Sequence, residues 1–461
     1  TEPGWRALLV QAWRSVTGVE ALPIEPTVDR SPNEELPSTL PAADAAIACT
    51  ATALLAASAL GGSRSVTLHG GEVAAAFRSE RYVRVDGDGF GRGFAPLSRF
   101  WRAADGWVRT HGNYPWHRRA LLAALDLTDT GDDAASADRL ASAVSALPAG
   151  EVEHRVVEAG GVAAAMRTPE QWLAQPQGRA VAAQPLIIDT RFEPGLPRPR
   201  PTTRPLPASG VRVLDLTRVI AGPVATRYLA ALGAHVLRLD PPDRPELSIH
   251  RYDGLPGKRS ALLDASTPDG AGRLHELLAE ADVVVHGYRP GALDRFGLAG
   301  ADLAERHPGL VVIALSAWGG DGPWGDRRGF DSIVQAAVGV AARESPDGER
   351  PGALPCQLLD HGTGYLCAAA ALDGLRRQAE HGGGYLRELS LARTAHWLLG
   401  RPPTPRPTLD AAPPAEQADW LTTLPGDRGP VLVVRPPGAL DGSPLRWPDR
   451  PLRYGADPPR W

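Results

Sequence analysis

The chain has 461 residues, of which 43% are hydrophobic and 22% charged, and its formal net charge is −4. This length suffices for two or three globular domains, and the charge offers no basic footprint for nucleic acid. The three cysteines, Cys49, Cys356 and Cys367, argue against a disulfide framework and provide no C-x-x-C zinc spacing.

The N-terminal sequence lacks the long apolar core and the small-residue cleavage site of a signal peptide. We also find no run of about 18 apolar residues of the kind that spans a membrane. Together with the sparse cysteines, these patterns predict a cytoplasmic protein without a membrane partner.

The first part of the chain, residues 1–195, predicts a small α+β domain. Its expected elements are a helix at 43–60, a strand and a helix within 64–77, two strands within 100–112, and helices at 116–125 and 137–147. Asp105 and Gly106 predict the turn between the two strands of 100–112.

A stretch rich in proline and arginine, EPGLPRPRPTTRPLPASG, occupies residues 193–210. Proline fixes φ and removes a backbone donor, so the sequence predicts an extended linker, which we assign to residues 196–210.

Strands and helices alternate regularly after this linker. Strands are expected at 211–216, 234–240, 282–288 and 308–319, and helices at 222–233 and 269–281. The fold class predicted for residues 211–400 is therefore α/β, a Rossmann-like parallel sheet with ligands at the carboxyl ends of its strands. The Pro-rich tail, 401–461, contains one expected strand at 429–436 and is expected to wrap a surface.

The turn after the first of these strands reads LTRVIAGPVATRYL and contains no G-x-G-x-x-G motif. Because a dinucleotide site needs those glycines, the turn does not favour a nicotinamide cofactor. The helix N-terminus that follows can hold an anion, or the turn can be purely structural.

Basic and aromatic residues lie near two other strand ends. Lys258 and Arg259 precede an expected strand, where they suit phosphates or are simply solvated. Tyr288, Arg289 and Arg295 follow another strand, where they can stack on adenine and pair with phosphate or form a plain surface loop. Together these residues predict a phosphorylated, adenine-bearing ligand.

Asp360 lies at the start of an Ala-rich helix in PCQLLDHGTGYLCAAAALDGL, residues 355–375. An aspartate there is commonly a cap that accepts unpaired backbone N–H groups. It can equally be a carboxylate nucleophile that backbone donors hold in place. The residues themselves leave both interpretations open.

Six stretches in the second half resemble, in order, the class III coenzyme A transferase superfamily, which includes formyl-CoA transferase, carnitine CoA-transferase and α-methylacyl-CoA racemase. These stretches are SGVRVLDLTRVIAGPVATRYLAALGAHVLRLDPP, GKRSALLD, ADVVVHGYRPGALDRFGL, HPGLVVIALSAWGGDGPW, RGFDSIVQAAVG and LPCQLLDHGTGYLCAAAALDGL. The resemblance implies coenzyme A and acyl-CoA as ligands, a small carboxylic acid as second substrate, no metal, and a homodimer, interlocked in the usual family.

The resemblance also implies roles for particular residues. Asp360 falls on the aspartate that forms an anhydride and then a CoA thioester. The remaining family positions assign residues to the CoA site: Val219, Ile220, Gly287 and Tyr288 would line it, Lys258 and Arg259 would lie in its phosphate region, and Arg295 would pair with a phosphate. Backbone N–H groups near the Asp360 turn could stabilise oxyanions.

Two features bear on alternative functions. The racemases carry a histidine where this chain has Phe330, and a phenylalanine side chain cannot transfer a proton, which argues against isomerisation. His361, beside Asp360, could in principle supply a base.

The order of domains also departs from the family, because residues 64–77, 100–125 and 156–180 resemble its later part. The chain thus looks permuted or partly duplicated, with one catalytic aspartate. The altered order keeps open a third interpretation, a catalytically weak acyl-CoA-binding protein.

Overall fold

The structure is a computed structural model that describes residues 4–29, 36–91, 93–192, 195–200, 204–403 and 419–461. Residues 193 and 194 at the end of the predicted first domain, 201–203 of the predicted linker and 404–418 of the predicted tail lie outside these residues.

The N-terminal elements of the described residues are four helices and four short strands. Their bounds are α1 Gly4–Thr17, β1 Thr27–Val28, α2 Ala42–Gly61, β2 Val66–Leu68, α3 Gly70–Ala76, α4 Ser79–Tyr82, β3 Arg84–Val85 and β4 Asp88–Gly89. The Ala-rich sequence makes α2 compact enough to be buried on nearly every side.

Residues 93–183 form a module in which most buried apolar residues between 97 and 165 share a core of their own, whereas Trp172 and Val181 belong to the main core. Its elements are β5 Phe100–Arg102, β6 Trp107–Thr110, α5 Pro115–Ala123, α6 Asp133–Ser145, α7 Ala149–Glu158, β7 Ala163–Ala165, α8 Pro169–Ala174 and α9 Pro176–Ala183. Strands β5, β6 and β7 pair antiparallel, and the turn at Asp105 and Gly106 joins the first two as predicted. This module occupies part of the α+β domain predicted for residues 1–195.

The second half forms the main sheet and its helices. Its elements are β8 Ile188–Phe192, which precedes the linker, and then β9 Arg212–Leu216, α10 Ala221–Ala231, β10 His235–Asp240, α11 Ser248–Gly254, β11 Arg259–Leu262, α12 Pro268–Glu280, β12 Val283–His286, α13 Gly300–Arg306, β13 Val311–Ser316, α14 Asp331–Val338, α15 Val340–Arg343, α16 Leu358–His381, β14 Gly384–Ser390 and α17 Leu391–Leu399. The strand order is β11-β10-β9-β12-β13-β14-β8.

Six of these seven strands are parallel, and only β8 runs antiparallel. The predicted α/β fold class with a parallel sheet is confirmed. Strands such as VVVH in β12 are apolar along their length because helices cover both faces of such a sheet. Strands β10 and β11 lie on one side of β9, and β12 and β13 lie on the other. The connections therefore run in opposite directions from this point, and a crevice opens beyond the carboxyl ends of β9 and β12.

Helix α16 lies at the centre of the core and packs against α2 and α10. Gly364 makes the approach of α10 possible, since a Cβ there would lie 2.5 Å from the carbonyl oxygen of Ala221. The order α2, β2, α3 repeats the helix-strand-helix order of α16, β14, α17. The close packing of α10 at Gly364 brings the first turn of α16 to the start of α10.

The C-terminal residues add β15 Leu421–Leu424, β16 Val431–Val434, β17 Ala439–Leu440 and β18 Ser443–Pro444. These strands pair with β3 and β2 of the N-terminal region. Packing thus crosses the predicted division at 195, since β8 joins the main sheet and α2 packs on α16. The division into domains at 195, 210 and 400 stays a prediction.

Among the described residues, one helix, α2, is long and apolar enough to cross a membrane by length and composition. Its best 18-residue window has a mean hydropathy of 1.6. However, 83% of that window is buried inside the protein, where it contacts α1 and α16. A core helix passes the same test, so α2 is weak evidence for a span.

Candidate active site

A cavity of about 690 Å³ opens at the carboxyl ends of β9, β10, β12 and β13. The loop after β9 forms one wall, and the 93–183 module contributes another through Tyr114, Trp116 and His117. The side chain of Asp360 reaches the cavity from the first turn of α16. The sheet and the smaller module therefore build one site together.

Asp360 is not the cap of its helix. The capping position is Gln357, which makes no side-chain cap hydrogen bond, and Asp360 is the third residue inside α16. Its residue is only 6% exposed, and that exposure is directed to the cavity. This placement favours the nucleophile interpretation over the cap.

A second carboxylate, Asp331, lies directly beneath Asp360. Its Oδ2 accepts the backbone N–H of Asp360 at 2.9 Å, and Oδ1 accepts the side-chain amide of Gln335. The backbone N–H of Leu359 also donates to Asp331. The helix-start donors at 359 and 360, which were expected to stabilise an oxyanion, are therefore engaged by Asp331.

Burial raises the pKa values of both carboxylates, and the charge of Asp331 also raises that of Asp360. Desolvation, followed by the charges of Asp331 and Glu80, raises the pKa of Asp360 well above its ordinary value. Burial also raises the pKa of Asp331 to about 6, although its hydrogen bonds oppose the shift. The proton-binding behaviour of each carboxylate thus depends on the other.

His361 points away from the cavity. Its side chain is fully buried, and Nε2 lies 3.1 Å from Oε2 of Glu80. Burial alone would raise the pKa of Glu80, but the hydrogen bond and charge of His361 outweigh it and lower that pKa. His361 therefore stabilises the buried carboxylate of Glu80 and does not face the cavity.

Phe330 lines the cavity next to Asp331. Its ring stacks on His111 with centroids 3.8 Å apart and an interplanar angle of 13°. His117 meets the same ring edge-on at 5.7 Å. Phe330, which stands where the racemases have a histidine, thus makes aromatic contacts with the smaller module.

The loop after β9 holds an unusual backbone conformation. Val219 lines the cavity with φ +67, a left-handed value that β-branched residues rarely adopt. Its N–H donates to Oε2 of Glu246 at 2.9 Å, and Oε1 of Glu246 accepts the hydroxyl of Tyr114 at 2.5 Å. Glu246 thereby connects the strained loop to the smaller module.

Glu246 is ionised although its side chain is fully buried. Burial would raise its pKa, but Arg238, His250 and Arg218 lower it to about 2. Arg238 reaches Oε2 at 3.2 Å. A charged Glu246 can accept several donors at once, which explains how it holds the backbone of Val219 in a strained conformation.

Six arginines line the cavity: Arg218, Arg244, Arg289, Arg295, Arg327 and Arg328. Burial, followed by the charges of Arg289 and Arg244, lowers the pKa of Arg328. The positive charges of Arg244, Arg289 and Arg328 therefore repel one another, and a multiply charged anion would relieve that repulsion.

The structure brings most of the predicted binding residues together. Val219, Gly287, Tyr288 and Arg295 line the same cavity as Asp360. Ile220 lies behind this wall, where it is 4% exposed and precedes α10.

The structure contradicts the placement of Lys258 and Arg259 at a phosphate. Lys258 is buried, and its Nζ binds Oδ2 of Asp215 at 2.9 Å and the hydroxyl of Thr226 at 2.6 Å. Arg259 is on β11 and donates to the carbonyl of Pro458, outside the cavity. A buried ammonium needs a partner charge, and Asp215 supplies it.

Several cavity residues were missed in the sequence. Arg328 lies directly before the Gly329-Phe330 segment that was compared with the racemases, and Arg244 follows the end of β10. Both positions could have indicated a binding role from the sequence. Tyr114, Trp116 and His117 carried none, because they belong to another module and are more than 200 residues from Asp360.

A sequence model of CoA-transferase family III matches residues 208–420. This range, less than half of the chain, is similar to CoA-transferase family III. The matched range includes Asp360, Asp331 and the arginines of the cavity, but not the module that contributes His117.

Curated relatives with CoA-transferase names and one solved structure are similar to part of this chain. A protein of Mycobacterium tuberculosis named "Probable fatty acyl-CoA transferase" is 32% identical over 252 residues, 49% of this chain and 64% of the relative. A formyl-CoA:oxalate CoA-transferase of Streptomyces avermitilis is 33% identical over 186 residues, 38% of this chain and 45% of the relative. A crystal structure from Mycobacterium tuberculosis aligns with a TM-score of 0.40 and 32% identity, and covers 43% of this chain and 58% of that one.

The chain thus spans about two thirds or less of the length of these relatives. Within the residues that the structure describes, no cluster of three or more His, Cys, Asp or Glu side chains is arranged to hold a metal ion.

Proposed function

We propose that this protein transfers coenzyme A between an acyl-CoA thioester and a free carboxylic acid, with Asp360 as the covalent nucleophile. The observation that carries the proposal is the position of Asp360, a nearly buried carboxylate that faces a cavity lined by six arginines. The match of residues 208–420 to the model of CoA-transferase family III supports it.

In the first half-reaction a carboxylate oxygen of Asp360 attacks the thioester carbonyl carbon. The C–S bond breaks, and the sulfur leaves with the electron pair as CoA thiolate. The thiolate then attacks the aspartyl carbonyl of the resulting anhydride, which releases the donor acid and leaves an aspartyl-CoA thioester.

The second half-reaction reverses these steps with the acceptor acid. Its carboxylate attacks the aspartyl thioester, the thiolate leaves, and the thiolate then attacks the acceptor acyl carbon. New acyl-CoA departs and the Asp360 carboxylate is regenerated. Because Asp360 is nearly buried, little water reaches the anhydride, which limits its hydrolysis.

The cavity arginines would bind the phosphates of coenzyme A. Guanidinium groups pair with phosphate through two parallel hydrogen bonds, and Arg244, Arg289 and Arg328 lie close enough to influence one another. Tyr288, on the same wall, would pack against the adenine.

The decisive experiment incubates the protein with acyl-CoA and a panel of carboxylic acids. We expect new acyl-CoA, and a mass increase on the peptide containing Asp360 that hydroxylamine removes. Asp360→Asn, which keeps the shape of the side chain, should lower turnover by at least about 10³-fold while CoA still binds.

Other outcomes identify the alternatives. Deuterium uptake from solvent at the α-carbon without acyl exchange would indicate an isomerase, which Phe330 disfavours. CoA binding with neither reaction would indicate an acyl-CoA-binding protein. Full activity of Asp360→Asn would overturn the covalent mechanism.

A further inference from the structure

The attack of Asp360 on a thioester places negative charge on the carbonyl oxygen, and that charge needs a hydrogen-bond donor. The nearest backbone donors on α16 are not free, because the N–H groups of Leu359 and Asp360 bind Asp331. The cavity therefore has to supply at least one donor from another element.

His117 has the features of such a donor. It lies near the start of α5, lines the same cavity as Asp360, and is only 5% exposed. Its Nδ1 is buried without a hydrogen-bond partner, and within the described part of the chain no protein group binds either ring nitrogen. Because His117 lines the cavity, a ligand there can complete the hydrogen bonding of Nε2, whereas Nδ1 is enclosed in the protein.

The aromatic contacts fix where the ring lies. His117 packs edge-on against Phe330, which immediately precedes Asp331, the residue that binds the backbone of Asp360. Tyr114 also meets His117 edge-on, with ring centroids 5.6 Å apart. These contacts hold the imidazole on the side of the cavity that carries the paired aspartates.

His117 is neutral at neutral pH. Burial, followed by the charges of Arg328, Arg218 and Arg244, lowers its pKa to about 4. A neutral imidazole has one N–H donor, and with Nδ1 enclosed in the protein, Nε2 is the nitrogen that can reach the cavity. A neutral donor does not form an ion pair with the Asp360 carboxylate, so it leaves the nucleophile free to attack.

We infer that His117, supplied by the 93–183 module, is a catalytic residue that donates a hydrogen bond from Nε2 to the oxyanion formed when Asp360 attacks the thioester. The inference rests on the proposed CoA transfer. His117 transfers no proton in this step: the Asp360 oxygen forms the new C–O bond, the electron pair of the C–S bond leaves on the sulfur, and the hydrogen bond strengthens as charge develops.

The test compares three substitutions of His117 by steady-state CoA-transfer kinetics. His117→Leu removes both nitrogens, His117→Gln keeps an N–H near the position of Nε2, and His117→Asn keeps one near Nδ1. We expect His117→Leu to lower kcat by about 10²-fold with little change in the KM for acyl-CoA, because an oxyanion donor acts mainly in the transition state. His117→Gln should recover about tenfold of that loss, and His117→Asn should not.

His111→Leu is the matched control. His111 stacks on the same Phe330 ring and is equally buried, but it does not line the cavity. It should keep kcat within a few-fold of wild type, with thermal unfolding recorded for every variant. A kcat for His117→Leu within about threefold of wild type would overturn the inference, and so would an equal loss in His111→Leu at matched stability.

The same measurements separate this inference from the proposed function. If the wild-type protein transfers CoA and His117→Leu does so equally well, only the role of His117 fails, and the N–H groups at the start of α10 would suffice. If the wild-type protein transfers no CoA, the proposed function fails and the role of His117 fails with it.

Discussion

The backbone N–H of Asp360 donates to Oδ2 of Asp331 at 2.9 Å, so the candidate nucleophile is positioned by a second buried carboxylate. The same contact brings two like charges together where water is excluded. Burial and the charge of Asp331 raise the pKa of Asp360, and Asp331 itself titrates at about 6. Asp331 therefore positions the nucleophile and at the same time makes its ionisation harder.

Asp331→Asn should move the acid limb of the kcat/KM profile to lower pH. The substitution keeps the side-chain shape and removes a like charge, so Asp360 ionises more easily. A pH series of kcat/KM for acyl-CoA checks this, and an unmoved acid limb would contradict it.

The same substitution should change how stability depends on pH. Between an ordinary aspartate pKa of about 3.9 and the folded value of about 6, folded wild-type protein holds a proton that the unfolded chain releases. The stability of the wild type should therefore fall as pH rises through this window. Asp331→Asn should show a smaller fall when melting temperatures are compared at pH 4.5 and pH 6.5.

Arg328→Ala should weaken the binding of CoA by about 10–100-fold, because a charge-assisted hydrogen bond contributes about 1.5–3 kcal/mol. It should not lower the stability of the free protein, since it removes one of three mutually repelling guanidinium groups. Calorimetric titration with CoA at two salt concentrations measures the effect. Arg155→Ala, which removes a surface partner of Glu151, is the control and should leave affinity unchanged. A loss below about twofold for Arg328→Ala would show that this arginine does not bind the phosphates.

Val219→Gly should separate stability from ligand binding. A left-handed valine costs about 1–2 kcal/mol, whereas glycine adopts φ +67 freely and costs about 0.5–1 kcal/mol in chain entropy. The free energy of unfolding should therefore stay constant or rise by up to about 1 kcal/mol, while the KM for acyl-CoA increases as the wall loosens. Val224→Gly, in the interior of α10, should instead lose roughly 2–5 kcal/mol. Denaturant unfolding checks both, and a clear loss of stability in Val219→Gly would contradict the strain argument.

Lys258→Ala should destabilise the protein by about 3–5 kcal/mol, because it leaves the Asp215 carboxylate buried without its partner. Arg259→Ala should change stability by no more than about 0.5 kcal/mol, since this half-buried arginine lies outside the cavity and 3.8 Å from Asp457. Chemical denaturation of both variants measures the difference. A Lys258→Ala protein of normal stability that no longer binds CoA would restore the phosphate role that the structure contradicts.

Local sequence determined much of this protein. The alternation of apolar strands with helices in the second half, the turn at Asp105 and Gly106, and the aspartate at the start of the Ala-rich helix were all predicted from residues a few positions apart. Backbone periodicity and turn chemistry act over such short distances, and the parallel sheet then places the strand ends at one edge. Asp360, Val219 and Tyr288 consequently appear in one cavity, as expected.

Tertiary structure alone decided which charged groups face that cavity and which are buried as pairs. Lys258 and Arg259 are adjacent in sequence, yet one is buried against Asp215 and the other lies outside the cavity, because successive residues at a strand point to opposite faces. His117 reaches the cavity from a module far away in sequence, and Asp331 meets Asp360 across 29 residues. Such contacts depend on how separate elements pack and on the high cost of burying a charge without a partner, which no short stretch of sequence records.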